Sequence, residues 1–175
     1  MLVILGTLAV HVAGNKAAGF VNEMADRQTV LQGKLQIGHF SASVSGNVVF
    51  ENVVWTAPDG KKLAEVPEMN VSANLFDILK GSFGINSINS ISIEKPQFAV
   101  NYTDKDGLDI INYINFSDKD DETPTEFRGM VEITDGALAL DMNGQKLDFS
   151  NVEMQANLKE FPDIKFTLQL SLIHI

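Results

Sequence analysis

Hydrophobic and polar residues alternate with a period of two over most of the chain after Val30, a pattern typical of β-strands buried on one face. Leu35 and Ile37 alternate with polar neighbours, and the segment from Val48 to Trp55 is rich in β-branched and aromatic residues. Further strands are predicted from Leu63 to Asn74, from Ile85 to Ile93 and from Gln97 to Tyr102.

The alternation changes parity at two prolines. Val66 and Met69 have opposite parity, with Pro67 between them, and a similar reversal occurs across Pro96. Because proline cannot donate a hydrogen bond to a neighbouring strand, it is confined to sheet edges and bulges. Each reversal therefore predicts a bulge or a strand break.

The alternation is more regular after residue 128, and Asn143-Gly144 is the strongest hairpin signal of the chain. A faint repeat accompanies it, because Gly60-Lys61-Lys62-Leu63 is followed by strand residues that partly match those after Gly144-Gln145-Lys146-Leu147. This similarity indicates a repeated β-unit.

Two short helices are expected, from Leu75 to Gly81 and from Leu108 to Ile114. The sequence thus predicts a mostly β protein, with an antiparallel sheet after a partial N-terminal transmembrane helix. The predicted divisions are a membrane anchor and exit helix (1–29), a first β-unit (30–115), an acidic linker (116–127), the start of a second β-unit (128–169) and a non-native tail (170–175).

Both ends of the chain have unusual sequences. Residues 1–15 carry no charge, but their apolar core is shorter than the roughly 20 residues of a membrane span, and no basic residue precedes it. We interpret this segment as part of a truncated membrane anchor; a buried helix or an atypical signal sequence is the alternative. Residues 170–175 back-translate to a string resembling a transposon end used in sequencing libraries, hence the predicted non-native tail.

The net charge of −10 argues against nucleic acid as a partner, because phosphate binding needs clustered Lys and Arg. Twelve of the 23 acidic residues lie between residues 101 and 150, and the acidic run from Asp118 to Glu122 within this region is typical of a solvated linker. The chain has no cysteine, which excludes disulfides and thiolate metal sites.

Chemistry-bearing motifs are sparse. His39 is the one histidine in the β region, so a paired-histidine metal site is not expected there. The segment from Asp104 to Asp109 resembles half a calcium loop but lacks the acidic fifth position, so a strand-to-helix turn is predicted instead. No catalytic residue, metal or cofactor is predicted, and the chain is not expected to be an enzyme.

An ordered set of segments resembles the N-terminal region of the AsmA-like family, the bacterial envelope family that includes TamB. A membrane-exit helix precedes the first of them, and the segments themselves lie at 31–38, 46–53, 58–60, 66–71, 75–81, 88–96, 106–111 and 129–136. Among the more recognisable are Leu75-Phe76-Asp77-Ile78-Leu79-Lys80-Gly81 and Gly129-Met130-Val131-Glu132-Ile133-Thr134-Asp135-Gly136.

The resemblance implies a protein anchored in the bacterial inner membrane, with the bulk of the chain in the periplasm, related to chorein-like bridge lipid transporters. It also implies that the antiparallel sheet is curled into a trough, which shields or conducts phospholipid for outer-membrane biogenesis and homeostasis. The expected partners are phospholipid acyl chains, the membrane through the N-terminal helix, and other envelope proteins.

The candidate lipid-contacting residues are the apolar members of the alternating strands. They are Val48, Phe50, Met69, Val71, Ile91, Ile93, Leu138, Leu140, Val152, Met154, Phe166 and Leu168. One-sided alternation is also what an antiparallel sheet packed on its own core shows. A non-catalytic periplasmic β-sandwich that serves in binding or assembly is therefore the alternative.

Overall fold

The computed structural model describes residues 31–43, 45–74, 87–114, 127–159 and 165–174, together with Asp26 and Asp77. Within these residues nine strands form one sheet, and the mostly β prediction is confirmed. The elements are β1 (Lys34–Ala42), β2 (Asn47–Thr56), β3 (Lys62–Ala73), β4 (Ile88–Glu94), β5 (Gln97–Thr103), β6 (Gly107–Leu108), α1 (Asp109–Asn112), β7 (Met130–Met142), β8 (Gln145–Asn157) and β9 (Lys165–His174).

The sheet is mixed rather than purely antiparallel, which corrects the prediction. β1, β2 and β3 pair antiparallel, and β3 then pairs with both β4 and β5. β4 and β5 each keep a single register against β7, and both pair with it in parallel. A parallel pair needs a long crossover connection, which the chain between Thr103 and Met130 supplies. Beyond it, β7, β8 and β9 are antiparallel again.

A row of residues in the left-handed backbone region crosses the sheet. Asn52, Lys95, Asp135 and Asn151 have φ angles of 54°, 51°, 55° and 49°. Lys95 lies between two register pairs that place it opposite Asp135 in the neighbouring parallel strand. We call these four residues the kink row. Each reverses the alternation of its strand, because a residue in this conformation breaks the regular pleat.

The two predicted parity changes belong to this row. The register places Pro67 beside Asn52, and burial switches from Val66 to Met69 across it. At Lys95 and Pro96 the strand breaks into β4 and β5. The reversals therefore occur at one level in successive strands, and the sheet is kinked along a line.

Because all these reversals coincide, the apolar side chains on both sides of the kink row stay on one face. The buried core cluster includes Val53 and Val66 from one side of the row and Phe50 and Met69 from the other. We call the face that carries this cluster the inner face. Alternation through an unkinked sheet would have placed the two sets on opposite faces.

The hairpin predicted at Asn143-Gly144 is confirmed. Both residues have positive φ, 53° and 88°, as a two-residue type I′ turn requires. They join Met142 to Gln145, the last register pair of β7 and β8. Gly60, with φ of 89°, precedes β3 as Gly144 precedes β8, so the two halves of the sequence repeat occupy corresponding hairpins.

The second predicted helix is a single turn, α1, and in the described ranges no helix is long and apolar enough to cross a membrane. Other predictions fall largely or wholly outside the described residues. They are the anchor at 1–29, the helix at 75–81, and the acidic linker at 116–127.

Candidate functional site

Two apolar rows run across the inner face on one side of the kink row, each formed by residues in register with one another. The first row comprises Val48, Val71, Ile91, Val131, Ala156 and Phe166. The second, which we call the methionine row, comprises Phe50, Met69, Ile93, Ile133, Met154 and Leu168. Both rows extend from β2 to β9.

A third row crosses the inner face on the other side of the kink row, and we call it the tryptophan row. It comprises Leu35, Trp55, Ala64, Phe98, Leu138 and Phe149. Leu140 lies beside this row and pairs with Leu147, and Val152 pairs with Gly136 at the kink. The inner face is therefore apolar on both sides of the kink row.

The exposure of the methionine row rises steadily along the sheet. Phe50, Met69 and Ile93 are 0%, 1% and 7% exposed, Met154 is half-buried, and Leu168 is 48% exposed. The tryptophan row follows the same trend, since Leu35 is fully buried and Phe149 is half-buried. We call β1–β5 the closed part of the inner face and β7–β9 the open part.

The structure divides the predicted lipid-contacting residues between these two parts. Val48, Phe50, Met69, Val71, Ile91 and Ile93 are buried in the closed part. Leu138, Leu140, Val152 and Met154 are half-buried in the open part, where Leu168 is half-exposed. The side chain of Phe166 lies outside the described residues. The first six are thus inaccessible to a ligand in this conformation.

Sequence reasoning left Ile133, Phe98 and Phe149 out of the candidate set, although they complete the rows. The sequence does contain a signal for these residues. Ile133 and Leu138 have opposite parity, as do Phe149 and Val152, so the alternation reverses between the two members of each pair. Each of these reversals marks a member of the kink row.

Residues beyond β6 pack over the closed part. Ile110, Tyr113 and Ile114, together with Phe127, contact its buried cluster. Leu31, itself buried, forms an isolated antiparallel bridge with Ile114. These side chains supply apolar cover to the closed part.

Polar contacts hold this cover in place. The Lys61 ammonium lies 2.6 Å from an Asp109 carboxylate oxygen, and the other oxygen accepts the backbone N–H of Asn101 at 2.8 Å. Partial burial raises the pKa of the Tyr113 phenol, and the nearby Asp59 and Asp109 carboxylates raise it further. All three causes favour the neutral phenol.

The opposite, outer face carries polar side chains. Asn70, Ser72, Ser90 and Ser92 line an open hollow of about 530 Å³ there. In the open part, Gln155 and Thr167 are exposed and alternate with Met154 and Leu168. The two faces therefore differ sharply in polarity.

The segment from Asp104 to Asp109 forms the predicted turn into the helix. The Asp106 amide donates to the Thr103 hydroxyl at 3.0 Å, and Asp109 begins α1. In the parts of the chain that the structure describes, no three His, Cys, Asp or Glu side chains are grouped to hold a metal ion.

The arrangement can hold apolar chains along the open part and exclude them from the closed part. Comparisons with known protein families, with curated proteins and with solved structures gave no match to this chain.

Proposed function

We propose that this chain is part of an AsmA-like envelope protein, anchored in the bacterial inner membrane, whose inner face shields or conducts phospholipid acyl chains for outer-membrane biogenesis. The observation that carries the proposal is the change in exposure along the continuous apolar rows. The residue types stay apolar from β2 to β9, while the methionine row passes from fully buried at Phe50 to half-exposed at Leu168.

The energetics of lipid transfer support an apolar face of this kind. Exposure of an acyl chain to water costs about 0.8 kcal/mol per CH₂, so a sixteen-carbon chain costs on the order of 12 kcal/mol to move unshielded. Contact with Met154, Leu138 and Leu168 would recover part of that cost and leave the headgroup in water. Such shielding requires no catalytic residue.

The distribution of polar side chains in the open part also fits a sheet whose outer face is in contact with water. Gln155 and Thr167 direct polar side chains to the outer face, while the adjacent apolar residues Met154 and Leu168 are half-buried and half-exposed. Contiguous apolar surface that stays accessible is typical of binding and interaction sites.

A closed β-sandwich is the alternative, and the buried cluster of β1–β5 is what favours it. In a sandwich the inner face of β7–β9 would be covered by a second apolar layer. Among the described residues, however, all the named strands belong to one sheet. The two proposals differ in whether the Met154 side chain contacts lipid or protein.

Photo-crosslinking in living bacteria tests this difference. A photoreactive amino acid at Met154, Leu140 or Leu168 is expected to capture phospholipid, identified by mass spectrometry of the adduct. The same probe at Gln155 or Thr167 is the matched control, because these side chains point to the opposite face. Protein adducts without lipid at the three apolar positions, or equal lipid capture on both faces, would contradict the proposal.

A further inference from the structure

The segment 109–114, which we call the strap, consists of α1 followed by Tyr113 and Ile114. It reaches from the end of β5 to the residues that precede β1, over the tryptophan-row end of the closed part. Ile110, Tyr113 and Ile114 pack against the buried cluster. The strap therefore lies between solvent and side chains that are buried in this conformation.

Polar contacts hold both ends of the strap. At one end Asp109 accepts hydrogen bonds from the Lys61 ammonium and from the Asn101 amide, and the Lys61 and Asp109 side chains remain 25% and 22% exposed. At the other end the Gln32 amide N–H donates to the Tyr113 carbonyl at 2.7 Å, and the Leu31–Ile114 bridge lies beside it.

The strap has little stability of its own. No residue of α1 is buried, Ile111 is 49% exposed, and no side chain caps the helix. A single helical turn is unstable in isolation, and a partly exposed ion pair such as Lys61–Asp109 contributes little to stability. Local opening of such a segment costs much less than unfolding the sheet beneath it.

Opening the strap would uncover apolar surface continuous with the open part. The tryptophan row runs without a polar interruption from Leu35 and Trp55 through Phe98 to Leu138 and Phe149. Leu35, Trp55 and Ala64 are buried, whereas Phe98, Leu138 and Phe149 are half-buried. The side chains of this row are therefore least exposed at the Leu35 and Trp55 end, which the strap covers.

We propose that the strap is a gate, which blocks acyl chains from the closed part when shut and extends the apolar face to β1 when open. This inference rests on the proposed function, because it assigns the strap control over the same face. It makes the lipid-accessible length of the inner face variable rather than fixed.

Trp55 provides a built-in reporter, since it is the single tryptophan of the chain and is 6% exposed. Its indole N–H donates to the Gln32 carbonyl at 2.9 Å, and the backbone N–H of the same residue donates to Tyr113 of the strap. Bromine atoms on an acyl chain quench indole fluorescence only at short range. Quenching of Trp55 by brominated lipid therefore reports entry of an acyl chain into the closed part.

The gate can be locked by a disulfide in the full chain, which has no other cysteine. Leu31 and Ile114 are antiparallel bridge partners of the non-hydrogen-bonded type, whose Cα separation of about 4.5 Å is close to disulfide geometry. Leu31→Cys/Ile114→Cys would be mixed with vesicles of phosphatidylglycerol with brominated acyl chains. Asp141→Cys/Lys146→Cys, a cross-strand pair in the β7–β8 hairpin, is the matched disulfide control.

Trp55 quenching in the Leu31→Cys/Ile114→Cys variant is expected to be about tenfold weaker when oxidised than when reduced, because the lock depletes the open state that admits lipid. The control pair should show no redox difference. Lys61→Met, which removes one anchor of the strap without new cysteines, should increase quenching.

The outcomes separate the gate from the proposed function. Equal quenching in the oxidised and reduced forms, or no quenching in either, would overturn the gate even where the Met154 probe captures lipid. Loss of lipid capture at Met154 in the unlocked chain would instead overturn the proposed function itself.

Discussion

Met69 and Met154 occupy the same apolar row, three strands apart. Replacing each of them with aspartate tests whether the face around Met154 is an open binding face or a closed core like that around Met69. Met69 is 1% exposed and pairs with Phe50 and Ile93. Met154 is half-buried and pairs with Ile133 and the half-exposed Leu168. The substitution is chemically identical at the two sites, so any difference reflects their surroundings.

The expected losses of stability differ by several kcal/mol. Met69→Asp forfeits about 2 kcal/mol of apolar burial. It also places a carboxyl group among apolar side chains, which adds about 3–5 kcal/mol. This total is comparable to the whole stability of a domain, about 5–15 kcal/mol. At Met154 the carboxylate remains hydrated on the open side, so a loss of about 1 kcal/mol is expected.

Urea unfolding monitored by far-UV circular dichroism measures both changes. Met69→Leu and Met154→Leu are the controls, because volume-conserving apolar exchanges usually cost less than about 1.5 kcal/mol. In the crosslinking assay, Met154→Asp should also abolish lipid capture by a probe at Leu168. If Met154→Asp destabilises the protein as much as Met69→Asp, the face is closed and the sandwich alternative is favoured.

Three further predictions concern the kink row, the hairpin and the cover of the closed part. Gly38→Ala should cost about 1–3 kcal/mol, because the new Cβ would lie 2.9 Å from the Asn52 Cβ, and Asn52→Gly should reduce that penalty in a double-mutant cycle. Gly144→Val should destabilise the β7–β8 hairpin by about 1–2 kcal/mol, because its φ of 88° strains a β-branched residue although the space is open; denaturant midpoints measure the change. The raised pKa of Tyr113 means that the folded chain holds the phenolic proton more tightly than the unfolded chain. Stability should therefore fall as the pH rises above about 10. Tyr113→Phe should remove that part of the alkaline loss in stability, as measured by urea midpoints across this range.

Local chemistry was readable from the sequence wherever neighbouring residues decide the conformation. Asn143-Gly144 predicted a two-residue hairpin, and the structure places both residues in the left-handed region that such a turn needs. Pro67 and Pro96 predicted disturbances in their strands, and both adjoin the kink row. The short helix after β6 was also found, one turn long.

Strand partners were decided by long-range packing. The alternation of β4, β5 and β7 predicts strands but carries no information on their relative direction, and the parallel pairing of Ile93 with Ile133 was not expected. Parallel and antiparallel neighbours bury the same apolar residues, so the pattern within one strand does not distinguish them. The crossover between Thr103 and Met130 made the parallel arrangement possible.

The sequence by itself determined which residues of each strand are apolar and where each strand reverses parity. Only the tertiary structure decided that the reversals at Asn52, Lys95, Asp135 and Asn151 align, because alignment depends on register between strands and not on any one of them. The same holds for the difference between Met69 and Met154, which share a residue type and a row. Met69 lies within the buried cluster of the closed part, whereas Met154 lies outside that cluster, which is assembled from chain segments distant in sequence.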